Sequence, residues 1–184
     1  VEKGGVEGKV LVNGSAASPK DMKTISGFVT QEDVLPETMT VREHLLFNAS
    51  LRISPASDKK SKKEIVDGII ERIGLMSVSK SLIGGSVERG ISGGERRKLS
   101  VACELLADPE FLFLDEPTSG LDSGAALDML GMLSYAVSKG VSVVCTLHQP
   151  RKEIFDKLDR IMLLEKGKVA FFGAPNQVHL YFES

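Results

Sequence analysis

Apolar positions fall into two patterns along this 184-residue chain, and each predicts a different element. The run Phe111-Leu112-Phe113-Leu114 has no alternation, which suits a strand covered on both faces, as in a parallel sheet flanked by helices. Val141 to Thr146 forms a second buried strand of this kind. Elsewhere the period is helical. Val41, Leu45, Leu46 and Ala49 mark one helix, Ile65, Ile69 and Ile73 a second, and Leu99, Ala102, Cys103 and Leu106 a third.

Polar punctuation sets the boundaries. Thr40 and Glu43 form a capping box that opens a helix through about Ile53, with Pro55 marking its end. The next helix is expected from Ser57 or Asp58 to Ile73, with Gly74 beyond its end. Ile91 to Leu99 opens the third helix after a glycine-rich loop that begins near Ser81. Asp122 caps a helix to about Lys139, and Gly140 ends it. Lys9 to Gly14 reads as a strand closing on an Asn-Gly turn, and Ile25 to Thr30 as a second strand. Arg160 to Leu164 and Val169 to Gly173 read as strands joined through Glu165 to Lys168, before a short terminal helix. No internal repeat or extended low-complexity tract interrupts this order.

The unit from Phe111 to Thr146 is strand, helix, strand. Parallel strands joined this way bring their carboxyl ends to one side, where open α/β sheets bind ligands. Asp115 and Glu116 leave the first of these strands and His148 follows the second, so His148 is expected near Glu116. Gln31 leaves the Ile25–Thr30 strand for a largely helical stretch.

Composition narrows the class. A chain this long buries about 70% of its extended-chain surface, enough for one domain with a subdomain. The formal net charge of -2 gives no single-sign field, so nucleic acid is not expected as the main partner. Cys103 and Cys145 lie in apolar stretches without metal or framework spacing, and read as reduced core thiols of an intracellular protein. No apolar stretch approaches the roughly 20 residues that span a bilayer. Nor does the start resemble a signal peptide, so membrane attachment is expected from outside the chain.

Buried carboxylates are costly without a compensating cation or hydrogen bonds, so an Asp-Glu pair directly after a buried strand calls for a ligand. Magnesium suits Asp115, because it takes oxygen ligands and keeps several waters. Glu116 can then polarise a water for in-line attack on a terminal phosphate, a general-base role of roughly 10²–10⁴-fold in rate. An Asp-Glu-Pro turn with the aspartate as a helix cap is the plainer reading of the same residues. The start of the third helix is likewise open: Ser92-Gly93-Gly94 presents free N–H groups to an anion, and Ser92 with Glu95 also makes a capping box that needs no ligand. Lys59, Lys60, Lys62 and Lys63 read as a solvated helix face rather than a phosphate patch.

In chain order the sequence has Gln31, Ile91-Ser92-Gly93-Gly94-Glu95, Phe111 to Glu116, Ser119-Gly120-Leu121-Asp122 and His148. Over essentially the whole chain this resembles the nucleotide-binding domain of ABC transporters, matching the Q-loop, signature motif, Walker B with its catalytic glutamate, D-loop and switch histidine. Glu95 where many relatives carry glutamine, Thr118 to Ser123, Leu147-His148-Gln149-Pro150 and Phe172-Gly173-Ala174-Pro175 resemble the G, or white and pleiotropic-resistance, type. Tyr181 and Phe182 read as packing for a terminal helix rather than an adenine contact.

The resemblance implies an α/β fold. It is a P-loop NTPase-like, mostly parallel sheet with flanking helices, an inserted helical subdomain and an incomplete N-terminal β region. Residues 1–31 would carry the strands up to the Q-loop, 32–108 the helical subdomain and signature helix, and 109–184 the remaining core. It further implies ATP and magnesium as ligands. Asp115 and Gln31 would serve the metal, and Glu116 and His148 the hydrolysis. Ser92, Gly93, Gly94, Glu95 and Asp122 would face ATP held by a second such domain, paired head to tail. A transmembrane domain of the same or a partner chain would place the assembly at the cytoplasmic face of a membrane, moving a lipophilic or amphipathic solute. No G-x-x-x-x-G-K-[ST] occurs, since Gly8-Lys9 and Gly167-Lys168 are each followed by valine. The expectation is therefore an ABC-type ATPase truncated after its P-loop and inactive by itself. A soluble ABC-type ATPase acting on ribosomes or DNA, and a non-catalytic regulatory cassette, are the alternatives.

Overall fold

The computed structural model describes residues 8–53, 61–85 and 89–183. They fall into two compact units, divided between Thr146 and Leu147.

The first unit opens with β1 (Leu11–Val12) and β2 (Ser15–Ala16), an antiparallel pair turned by Asn13 and Gly14 at φ 50° and 81°. Helix α1 (Pro19–Ile25) comes next, with Ser18 and Asp21 in a reciprocal cap and proline in the first turn. Hydrophobic spacing did not predict it, because it buries no residue. β3 (Ser26–Val29), β4 (Phe111–Leu114) and β5 (Ser142–Cys145) form a parallel sheet in that order.

One face of the sheet is closed. Leu112, Leu114 and Val29 join a core with Leu99 of α4 (Gly93–Leu105) and Met129 of α5 (Ser123–Ser138). A side chain at Gly27 would meet Glu104 Cβ of α4 at 3.0 Å, so glycine permits this close approach. The opposite face departs from expectation. Phe28, Phe113 and Val144 stand in register across it, with Phe28 60% and Val144 54% exposed. Burial on both faces, expected for both strands, holds here for one face alone, because the described helices pack on that side.

Helices α2 (Val41–Arg52) and α3 (Lys62–Arg72) pack with α4 around Val41, Leu45, Val66, Ile70 and Leu99. The start of α3 corrects the sequence expectation. Ser61 caps it with Glu64, satisfying the first free N–H groups there, whereas Ser57 and Asp58 lie outside the described residues. Its buried stripe is Val66, Ile70 and Ile73, with Ile65 and Ile69 half-buried beside it. Lys59 and Lys60 lie outside the described residues, while the Lys62 ammonium donates to the Ser50 carbonyl at 3.0 Å. Among the described residues, no helix is long and apolar enough to cross a membrane.

The second unit holds a short α6 (Lys152–Phe155) and the antiparallel hairpin β6 (Ile161–Glu165) and β7 (Lys168–Gly173). Lys166 and Gly167, at φ 47° and 76°, make its two-residue turn. A single 3₁₀ turn (Pro175–Gln177) leads into α7 (Val178–Glu183). Tyr181 of α7 meets buried Phe171 edge-on at 5.3 Å, consistent with its expected packing role.

Candidate functional site

The parallel ladder continues one residue beyond the strands. Asp115 N–H donates to the Val29 carbonyl at 2.9 Å, and Thr146 N–H to the Leu114 carbonyl at 3.0 Å. This carries Asp115 and Thr146 out of the sheet side by side. Glu116 then turns sharply at φ 44°, followed by fully buried Pro117. A left-handed setting costs a non-glycine residue roughly 1–2 kcal/mol, so it persists only where surroundings hold it.

Those surroundings are specific. The Thr146 hydroxyl donates to Asp115 Oδ1 at 2.6 Å and accepts from Glu116 N–H at 2.9 Å. The Gln31 amide donates to Glu116 Oε2 at 3.0 Å. Gln31, Asp115 and Glu116, three residues singled out in the sequence, thus meet at one sheet edge. Neither of two clefts in this unit, about 200 and 510 Å³, is lined by Asp115 or Glu116. Asp115 and Glu116 are both half-buried.

Thr146 and Arg97 were missed in the sequence. Pairing of Leu114 with Cys145 sets Thr146 opposite Asp115, so the register carried the signal for the threonine. Arg97 sits in the polar run Glu95-Arg96-Arg97-Lys98 and was given no role there. Its side chain is in fact 6% exposed and forms an ion pair with Asp33 at 3.1 Å. The clue was helical spacing, since buried Val101 comes four residues later. Arg96 donates to the Ile83 carbonyl at 3.2 Å, and Lys98 pairs with Asp128 at 2.9 Å.

The tip of α4 forms the expected capping box. Ser92 N–H and hydroxyl donate to Glu95 Oε2 at 2.7 and 2.8 Å, and the hydroxyl accepts from Glu95 N–H at 3.3 Å. A side chain at Gly94 would meet Ala125 Cβ of α5 at 3.1 Å, whereas one at Gly93 would meet open space. Asp122 caps α5, its Oδ1 accepting from Ala125 N–H at 2.9 Å. Among the described residues no hydrogen bond ties this tip to the Asp115 or Glu116 side chains. His148 is exposed and belongs to the second unit.

Both cysteines are free. Burial pushes the Cys103 thiol up to about 12 and raises Cys145 as well, which keeps both protonated and fits core thiols better than nucleophiles. Among the described residues no group of three or more His, Cys, Asp or Glu side chains could hold a metal. Magnesium needs no such group when a nucleotide supplies phosphates, since one or two carboxylates then suffice.

Comparison with known proteins supplies the family. Residues 2–119 match the family described as ABC transporter. The chain is 44% identical over 180 residues to the rat (Rattus norvegicus) "Broad substrate specificity ATP-binding cassette transporter ABCG2", covering 98% of this chain and 27% of that protein. It is 42% identical over 183 residues to "ABC transporter G family member 6" of Arabidopsis thaliana, covering 99% and 25%. It is 42% identical over 178 residues to "Protein scarlet" of Drosophila melanogaster, covering 96% and 27%. The chain thus spans roughly a quarter of the length of these relatives. It belongs to the ABC transporter family, and within it carries ATP-binding domain sequence of the G type. These relatives lend no support to the soluble alternative.

Proposed function

We propose that this chain contributes to two ATP sites when two such domains pair head to tail. One is served by the sheet edge at Asp115 and Glu116, the other by the tip of α4. The observation that carries the reading is the convergence of Gln31, Asp115, Glu116 and Thr146 at the ends of parallel strands.

Asp115 fits a magnesium ligand: Thr146 fixes one carboxylate oxygen, and Oδ2 accepts no hydrogen bond among the described residues. When bound, the ion would neutralise phosphate charge. Glu116, oriented by the Gln31 amide, would polarise a water in line with the γ-phosphate, and Gln31 would sense both metal and water. His148 would contact the γ-phosphate. Ser92, Gly93 and Gly94, with Glu95 behind them, would receive the γ-phosphate of ATP held by the partner domain. Asp122 would communicate across the pair. These 184 residues contain no P-loop lysine, so by themselves they should turn over no ATP above background.

In the full-length protein the energy would move a lipophilic or amphipathic solute. The helices around α2 and α3 would pass the closing motion to a transmembrane domain from the cytoplasmic side. The direct test is Glu116→Gln in the full-length protein, which should lower turnover at least about 100-fold while ATP binding survives. Equal loss of binding and turnover would make Glu116 a structural residue instead.

A further inference from the structure

We infer that Arg97 is a positioning residue for ATP hydrolysis, holding Glu116 and Gln31 through their backbone carbonyls in the geometry that aims the attacking water. The inference rests on Glu116 as the water-activating group.

Arg97 lies on α4, yet its guanidinium serves two other segments. Nη1 donates to the carbonyls of Thr30 and Gln31, the latter at 3.0 Å, and to Asp33 at 3.1 Å. Nη2 donates to the carbonyls of Asp115 at 2.6 Å and Glu116 at 3.1 Å. One planar fork therefore bridges the exits of β3 and β4, the two points from which the amide and the carboxylate emerge. The Thr146 hydroxyl holds Glu116 by its N–H and Arg97 holds it by its carbonyl. With both peptide groups anchored, the left-handed φ of 44° is held, and the carboxylate is directed at Gln31. Gln31 is pinned in the same way, its carbonyl on Nη1 and its side chain on Glu116.

A lysine here would keep the charge. Its single ammonium lacks the fixed fork that serves both strand exits together. The water, the carboxylate and the phosphate must align closely, and a displacement of about 1 Å can cost up to about 100-fold in rate. Loss of the fork should therefore appear in the chemical step rather than in nucleotide binding.

The test compares Arg97→Lys, Glu116→Gln, their combination and Asp33→Asn in the full-length protein. Arg97→Lys should lower kcat about 10-fold with KM unchanged within about 2-fold. In the Glu116→Gln background the same substitution should change the residual rate less than about 2-fold, because it acts through Glu116. Asp33→Asn removes the ion pair and leaves the carbonyl bonds, so its kcat should stay within about 2-fold of the parent. Full additivity of the two substitutions, or a kcat loss of about 10-fold or more in Asp33→Asn, overturns the inference; the second is measurable even if Arg97→Lys fails to fold. A normal kcat for Arg97→Lys beside an inactive Glu116→Gln sinks the inference alone. Unaltered turnover in Glu116→Gln sinks the reading of Glu116 and the inference with it.

Discussion

Helices α2, α3 and α4 start with the same device and differ in the two residues that it encloses. Thr40 N–H donates to Glu43 Oε2 at 2.9 Å, Ser61 N–H to Glu64 Oε2 at 2.8 Å, and Ser92 N–H to Glu95 Oε2 at 2.7 Å. Each box satisfies donors that a helix start leaves free, and none of them is evidence for a ligand. The residues between cap and glutamate are Val41-Arg42 in α2, Lys62-Lys63 in α3 and Gly93-Gly94 in α4. Glycine weakens a helix by about 1 kcal/mol relative to alanine, so the pair in α4 is a local loss that needs a reason. Ala125 supplies one for Gly94. Among the described residues nothing supplies one for Gly93. Gly68 in α3 and Gly131 in α5 have the same open space, and what sets Gly93 apart is its place at the first turn, where free N–H groups face outward.

Gly93→Ala gives the largest effect by which that contrast can be broken. In the full-length protein it should lower ATP turnover by about 30-fold or more, because on the proposed reading a methyl group would stand where a phosphate oxygen would approach. In the isolated fold it should raise stability by about 0.5–1 kcal/mol, read from urea unfolding. Gly94→Ala should bring no such gain, since its methyl group presses on Ala125. Full turnover in Gly93→Ala would remove the contrast between α4 and the other helices.

Removing the caps gives the next largest effect. Thr40→Ala, Ser61→Ala and Ser92→Ala should each cost about 1 kcal/mol in unfolding free energy, since the three boxes have one geometry. Turnover separates them: Ser92→Ala should lower it about 10-fold more than stability loss explains, while the other two leave it near the parent value. A proportional drop in all three would reduce Ser92 to a helix cap.

Local chemistry was legible in the sequence, and long-range contact was not. Asn13-Gly14 gave the first hairpin, and the boxes at Thr40 and Ser92 gave their helix starts, because neighbouring residues alone decide them. The meeting of Gln31 with Asp115 and Glu116 was expected from the family resemblance, which put Gln31 and Asp115 on one metal. Helix α1 escaped notice because it buries nothing, and its evidence was the Ser18–Asp21 cap instead. The start of α3 was misplaced because Ser57 and Asp58 compete with Ser61 as caps, and only Ser61 has a glutamate three residues on. Arg97 and Thr146 act on segments 18 to 67 and 30 to 31 residues away. Periodicity can place such residues on a buried face, and only the fold shows what they touch.

The smallest effect tests whether the α2 cap acts through charge. Thr40 holds the Glu43 carboxyl below its ordinary 4.5, first through its N–H and then through its hydroxyl. The unfolded chain keeps the ordinary value, so between 4.5 and the lower folded value the unfolded state binds more protons. The stabilising contribution is therefore complete above 4.5 and lost as pH falls through the folded value. Glu43→Gln can keep an acceptor oxygen in the box without the charge. The difference in urea midpoint between parent and variant should be constant from about pH 7 down to the ordinary carboxylate range, then shrink and disappear as acid protonates Glu43. A difference that persists unchanged to about pH 3 would mean the box works by geometry alone. That result would sharpen the contrast with α4, because the charge of its glutamate could then no longer be explained by capping.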